Sequence, residues 1–303
     1  MKLIRPNSKI SLLLSKPQRP ITLDEPHTKS KLGSNYDTGW SRRYGVRLIR
    51  AMLLDAVVRP GVELIASPEI KNQDRIDHLS APVIFAANHS SHLDTPVMLS
   101  TLPAKFRHRC VVGAGADYFF DKRWKAILWS GVLSAIPIER SKPSRRAGEL
   151  AVDLVKEGWN LLIFPEGGRT PDGLGQQHKT GVAQLAIRTR APIVPIYLEG
   201  TYEILNKTSK RFKPGTVTAS YGSPIYASDT DDPRELTKTI QAAIDRLADE
   251  LHSDFLSAAR RSAKGETPVL APANRGWIEK WNRVSSLSQG RKLDRWPTKL
   301  FNR

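Results

Sequence analysis

His89 and Asp94 stand five residues apart in NHSSHLD, directly after the apolar run PVIFAAN. An imidazole works as a base when a carboxylate holds one ring nitrogen. That bond fixes the tautomer and supports the imidazolium formed when the other nitrogen takes a proton. A five-residue step over a strand end and a first helical turn lets the chain fold back far enough to make it. The same letters also suit a plain helix start, with Ser90 or Ser91 as N-cap and Asp94 in the first turn. The pair by itself leaves both readings open.

Three further stretches put anion-binding groups at strand ends or helix starts. LLIFPEGGRT (161–170) runs from an apolar segment into Pro165, Glu166, Gly167, Gly168, Arg169 and Thr170. Glycines there permit positive φ and close backbone approach to a ligand. Exposed amides beside a guanidinium make a cradle for phosphate or carboxylate. IPIERSK (136–142) brings Arg140 just past another apolar segment, with Ser141, Lys142, Arg145 and Arg146 following. In HKTGVAQLAI, Lys179 and Gly181 open a helix and add donors at its N-terminus. A base at one strand end with anion-binding groups at its neighbours suits an enzyme that deprotonates a hydroxyl on a phosphorylated substrate. The chain has no G-x-S-x-G elbow to supply a nucleophile and no dense His/Cys/carboxylate cluster to hold a metal.

The elements that must position these residues are legible as alternating runs. Strand-like segments fall at 82–88, 110–114, 134–138, 160–164 and 193–198, with a later strand at 215–225, read as an edge. Helical patterns lie near 93–101, 123–133, 144–157, 179–188 and 232–260. Continuous apolar strands with helical spacers predict an α/β fold whose mostly parallel central sheet is covered by helices on both faces. In such a sheet the strand ends share one side. An N-terminal amphipathic helix over 42–58 precedes the sheet, with Val46, Ile49, Leu53, Ala56 and Val57 as its stripe and arginines outside it. It suits either packing on the core or a membrane interface.

Charge divides the chain. The net charge is +17, but residues 1–60 hold 12 Lys and Arg against 4 Asp and Glu, and residues 264–303 hold 9 against 3. The middle is nearly neutral and the ends are basic arms suited to a polyanion, either nucleic acid or an anionic membrane. We read 1–40 as a flexible arm, 41–263 as the catalytic domain with its motif core at 80–200, and 264–303 as a basic tail carrying Trp277, Trp281 and Trp296. No run of ~18–20 apolar residues offers a membrane span, and no secretory leader is evident. A cytoplasmic protein is therefore expected. The single cysteine, Cys110, sits in an apolar run and reads as a buried structural thiol.

Taken in order, NHSSHLD, IPIER, FPEGGRT and APIVPIYLEG (191–200) resemble the four motif blocks of the glycerolipid (lysophospholipid) acyltransferase family, of the 1-acylglycerol-3-phosphate O-acyltransferase type. The likeness covers about residues 80–200 and leaves out both arms. Gly168 stands where that family usually has threonine, Thr170 where it has serine, and Glu139 where aspartate often precedes the arginine.

The resemblance implies transfer of a fatty acyl group from an acyl thioester to the hydroxyl of a lysophospholipid, giving phosphatidic acid for phospholipid biosynthesis. It implies His89 as the base, Asp94 as its orienting partner, and Arg140, Gly167, Gly168, Arg169, Thr170 and Lys179 around the acceptor phosphate, with Glu166 positioning that site. The donor would be acyl-CoA or an acyl-carrier-protein thioester, with no cofactor besides. The basic ends and the 42–58 helix would then hold the protein peripherally on the inner face of the cell membrane, with no nucleic acid as partner. Two alternatives stay open: the same chemistry on glycerol 3-phosphate or another lipid acceptor, and a basic nucleic-acid-binding protein with an idle α/β core.

Overall fold

The computed structural model of the chain describes residues 32–139, 145–206 and 212–271. Arg140, the arm over 1–31 and the three tryptophans of the tail lie outside the described residues. Helix α1 (Tyr44–Leu53) passes through a π-helical turn (Leu54–Val58) into α2 (Arg59–Ala66). Strand β1 (Pro68–Lys71) follows, then β2 (Ile84–Ala87), α3 (Asp94–Thr101), β3 (Cys110–Gly115), α4 (Arg123–Leu133) and β4 (Ala135–Ile138). The chain continues with α5 (Arg145–Lys156), β5 (Asn160–Ile163), α6 (Gly181–Thr189), β6 (Ile193–Glu199), β7 (Val217–Tyr221), α7 (Pro233–His252) and α8 (Phe255–Lys264).

The seven strands form one sheet in the order β1-β7-β6-β2-β5-β3-β4, parallel throughout except for the β6–β7 pair. Every residue of β2 is buried, as expected of a strand covered on both faces. One face packs Phe85, Val194 and Leu162 against Val62, Met98 and Phe106 from the helical segments on that side. The other packs Ile84, Leu161 and Ile193 against Val155, Ala183 and Ile240 of α5, α6 and α7. The predicted α/β class, with its mostly parallel sheet covered by helices, is what the chain forms.

Several sequence expectations change. β1 carried no apolar signal because three of its four residues are exposed at the sheet edge. The strand at 215–225 is therefore internal, flanked by β1 and β6. The helix read over 232–260 breaks at Ser253, and Asp254 accepts from Ser257 N–H to start α8. Residues 32–40, placed in the flexible arm, pack on the domain. Gly33 N–H donates to the Phe120 carbonyl at 2.9 Å, Tyr36 lies 5.8 Å from the Phe120 ring, and Thr38 is buried. At the other end, the Leu270 amide donates to Asp245 Oδ1 at 3.2 Å, so the start of the tail is also held.

Of the two readings of the N-terminal helix, packing of its whole apolar stripe on the core is not what forms. Ile49 and Val57 of the expected stripe are exposed, while Arg50 is buried and donates from Nη1 to the Ser41 carbonyl at 2.9 Å. The π-helical turn lies just ahead of Pro60. Proline has no N–H, and its ring crowds the carbonyl four residues back, so a wider turn relieves the strain.

Candidate active site

β2 and β5 are neighbours, and the loops leaving their C-terminal ends meet. From the β2 side, His89 Nδ1 lies 2.7 Å from Asp94 Oδ2. The same oxygen accepts from the Ser90 and Ser91 amides at 2.7 and 2.8 Å. Asp94 is wholly buried in the first turn of α3. Asp94 thus opens the helix and also holds the histidine, but neither Ser90 nor Ser91 is the N-cap: Leu93 takes that place with no side-chain cap. With a carboxylate on Nδ1, that nitrogen carries the proton and Nε2 is the nitrogen left for a substrate. The imidazole keeps 19% of its side-chain surface exposed and lines a cleft.

The β5 side grips the histidine from three directions. Glu166 Oε1 accepts from the His89 amide at 2.9 Å. The Thr170 amide donates to the His89 carbonyl at 2.9 Å. The Phe164 ring stacks on the imidazole, with centroids 4.1 Å apart and planes 18° apart. Glu166 and Thr170 are both buried, and the Thr170 hydroxyl accepts from Gly173 N–H at 3.1 Å. Thr170 therefore acts as a brace for the loop.

The glycine turn lies on the more open side. Gly167 has φ +74°, and a Cβ there would sit 2.8 Å from Lys179 Nζ, so the lysine side chain runs directly over the turn. The Lys179 amide donates to the Pro165 carbonyl at 2.9 Å, and Gln176 Nε2 donates to the Gly168 carbonyl at 2.9 Å. Arg169 is partly exposed. Burial first, then the Arg169 and His89 charges, hold the His92 imidazole below its ordinary pKa. The sequence thus correctly grouped His89, Asp94, the 166–170 loop and Lys179. Arg140 is outside the described residues, and β4, the strand it follows, lies three places from β2.

Sequence reasoning named the β6 block (191–200) as a motif but assigned none of its residues to the site. Asn88 pairs with the Leu198 backbone in both directions, Nδ2 to the carbonyl at 2.9 Å and Oδ1 from the amide at 2.7 Å. Ser90 Oγ lies 3.0 Å from Thr201 Oγ1, and Ser91 Oγ donates to the Leu205 carbonyl. Gly200, at φ +89°, lets this loop pass so close that a Cβ would collide with the Thr216 carbonyl. Tyr197, Tyr202 and Leu270 complete the cleft wall. Asn88, adjacent to His89, and Gly200, which ends the 191–200 block, carried a local signal.

Residues 67–199 match the family model described as Acyltransferase. A 1-acyl-sn-glycerol-3-phosphate acyltransferase of Cocos nucifera is 39% identical to the chain over 100 residues, covering 32% of each protein. The human 1-acyl-sn-glycerol-3-phosphate acyltransferase beta is 29% identical over 161 residues, 53% of this chain and 56% of that one. The chain thus spans between about a third and just over half the length of these relatives. The crystal structure of the Thermotoga maritima acyltransferase PlsC superposes with a TM-score of 0.57 at 23% identity, over 70% of this chain and 85% of that one. That likeness establishes a shared fold. The matched residues contain the His89–Asp94 pair, the 164–170 loop, Lys179 and β6, while Gly200, Thr201, Tyr202, Leu205 and Leu270 lie beyond them.

Proposed function

We propose that the chain is an O-acyltransferase that moves a fatty acyl group from an acyl thioester to the free hydroxyl of 1-acylglycerol-3-phosphate, giving phosphatidic acid. The observation that carries this reading is the His89–Asp94 pair at 2.7 Å, buried on the carboxylate side and open to a cleft on the imidazole side. His89 Nε2 takes the hydroxyl proton as the acceptor oxygen attacks the thioester carbonyl. Asp94 supports the imidazolium. The tetrahedral intermediate then expels the thiolate, which recovers the proton from His89, so the chain ends unchanged and one thiol is released per ester formed. Gly167, Gly168, Arg169 and Lys179 take the acceptor phosphate through amides and side-chain charge, with Arg140 as an outer contributor. Glu166 and Thr170 hold the histidine loop.

In this reading the donor is the coenzyme A or acyl-carrier-protein thioester, and the protein works on the anionic inner face of the cell membrane. No helix among the described residues is long and apolar enough to cross a membrane, which suits attachment from one side. The test is thiol release from long-chain acyl-CoA with and without 1-acylglycerol-3-phosphate, in wild type and His89→Ala, with glycerol 3-phosphate in parallel. Release that requires the lysophospholipid and vanishes in the variant supports the reading. Release of equal rate in both proteins removes His89 as base and defeats it.

A further inference from the structure

The start of the tail reaches the active site with one side chain. After α8 ends at Lys264, Gly265 takes φ +72°. The chain then runs to α7, where the Leu270 amide donates to Asp245 Oδ1 at 3.2 Å. Val269 is exposed, while Leu270 is half-buried and packs on the core face formed by α5, α6 and α7. A Cβ at Gly175 would lie 2.7 Å from the Leu270 Cβ and 3.0 Å from the Leu270 carbonyl carbon. Gly175 is not among the glycines with positive φ, so its missing side chain serves this close approach. The loop after β5 is thus shaped to seat Leu270.

The seated side chain separates two spaces. In front of it is the cleft that holds His89, about 100 Å³ in volume. Behind it is a space of about 10 Å³, room for about one water molecule. Asn88, Glu166, Gly175 and Leu270 border both. The rear space is polar, with Gln241, Asp245 and His178 in its wall. His178 Nδ1 is buried and has no hydrogen-bond partner among the described residues. Leu270 is therefore an aliphatic partition between two polar spaces. Cutting its side chain back extends the cleft toward α7.

We propose that Leu270 is a specificity-determining residue: it ends the cleft beside His89 and limits the bulk that an acceptor carries next to its reacting hydroxyl. The proposal rests on the acyltransferase reading for the reaction and for the place of the acceptor phosphate. In 1-acylglycerol-3-phosphate the reacting carbon has two neighbours. The one bearing phosphate goes to Gly167, Gly168, Arg169 and Lys179, none of which lines this cleft. The arm that enters is the other carbon with its acyl ester, and Leu270 meets the first carbons of that acyl group. A wall of fixed shape rejects an added branch there by about tenfold to a hundredfold.

The test compares two acceptors in the full chain, 1-hexanoylglycerol-3-phosphate and its branched analogue 1-(2-ethylhexanoyl)glycerol-3-phosphate, with long-chain acyl-CoA as donor. The wild type should prefer the straight acceptor in kcat/KM by about tenfold or more. Leu270→Ala should bring the two to near parity by admitting the branched one. Leu270→Trp should raise KM for both by about tenfold, and Leu270→Met should keep the wild-type preference. The Asp245 bond is made by the Leu270 backbone and survives all three changes. A preference that does not move in Leu270→Ala overturns the proposal. So does an equal loss for both acceptors that tracks a lowered thermal midpoint, which would make Leu270 a seat for the tail alone. Calorimetric titration with the matching acceptors that lack the reacting hydroxyl reads binding without turnover. A chain that releases no thiol, yet keeps the Leu270-dependent preference in binding, would defeat the proposed acylation and leave the wall standing.

Discussion

Glu166 Oε1 holds the backbone amide of His89 at 2.9 Å across 77 residues of sequence. With the Thr170 amide on the His89 carbonyl, the loop after β5 fixes the histidine's main chain while Asp94 fixes its ring. A glutamate beside an anion-binding loop looks misplaced as a ligand, and its contact explains it. Glu166 acts through His89. Glu166→Ala should therefore lower kcat by about tenfold to a hundredfold through misplacement of the base, with KM for the acceptor little changed. Glu166→Gln keeps an oxygen for the amide and should recover most of the rate. A KM effect in both variants would instead make Glu166 a substrate contact.

Asp94→Asn retains an oxygen for the Ser90 and Ser91 amides but removes the charge that supports the imidazolium. Activity should fall about a thousandfold or more, while the thermal midpoint moves little. Steady-state thiol release together with calorimetry checks both halves of this expectation.

Gly167→Ala puts a methyl group at φ +74° and within 2.8 Å of Lys179 Nζ. The backbone strain should cost about 1 kcal/mol of stability. Since the obstructing atom is the tip of a flexible side chain, Lys179 should swing aside, raising KM for the phosphorylated acceptor about as much as Lys179→Met does. The double variant should then be no worse in KM than either single change. Additive losses would show that the two residues act separately.

Asp245 is buried beneath Leu270, and burial raises its pKa to about 6. Its folded pKa lies above the unfolded one, so the native state holds the proton more tightly and stability falls as pH rises from about 4 to about 6. Asp245→Asn keeps an acceptor for the Leu270 amide without the buried charge. It should stabilise the protein by about 1–3 kcal/mol at pH 7.5, with the gain vanishing near pH 4. Denaturant unfolding at both pH values measures it.

Cys110 is buried in β3, and burial pushes its thiol up to about 12. It should stay unreactive toward a disulfide reagent until the chain unfolds. Thiol-release assays would therefore read no thiol from the folded chain. Rapid stoichiometric labelling in native buffer would contradict the buried placement.

The residues that meet within a few positions of one another were legible without the fold. His89 with Asp94, the glycine turn between Glu166 and Arg169, and the apolar strands that carry them depend on hydrogen bonds and φ values set locally. The α/β class followed because covered parallel strands need unbroken apolar runs. What the sequence left open was which strand ends adjoin. Sheet order is fixed by crossovers between distant segments, and nothing in the letters of β4 shows that it lies three strands from β2 while β5 lies beside it. The Glu166–His89 bond, the Asn88 link to Leu198 and the Leu270 wall are contacts of that non-local kind. The direction of α1 was hidden for a related reason. Its periodicity marks an apolar face, but whether that face turns inward depends on the burial of Arg50 against Ser41 and Gly131, and that is a decision of packing.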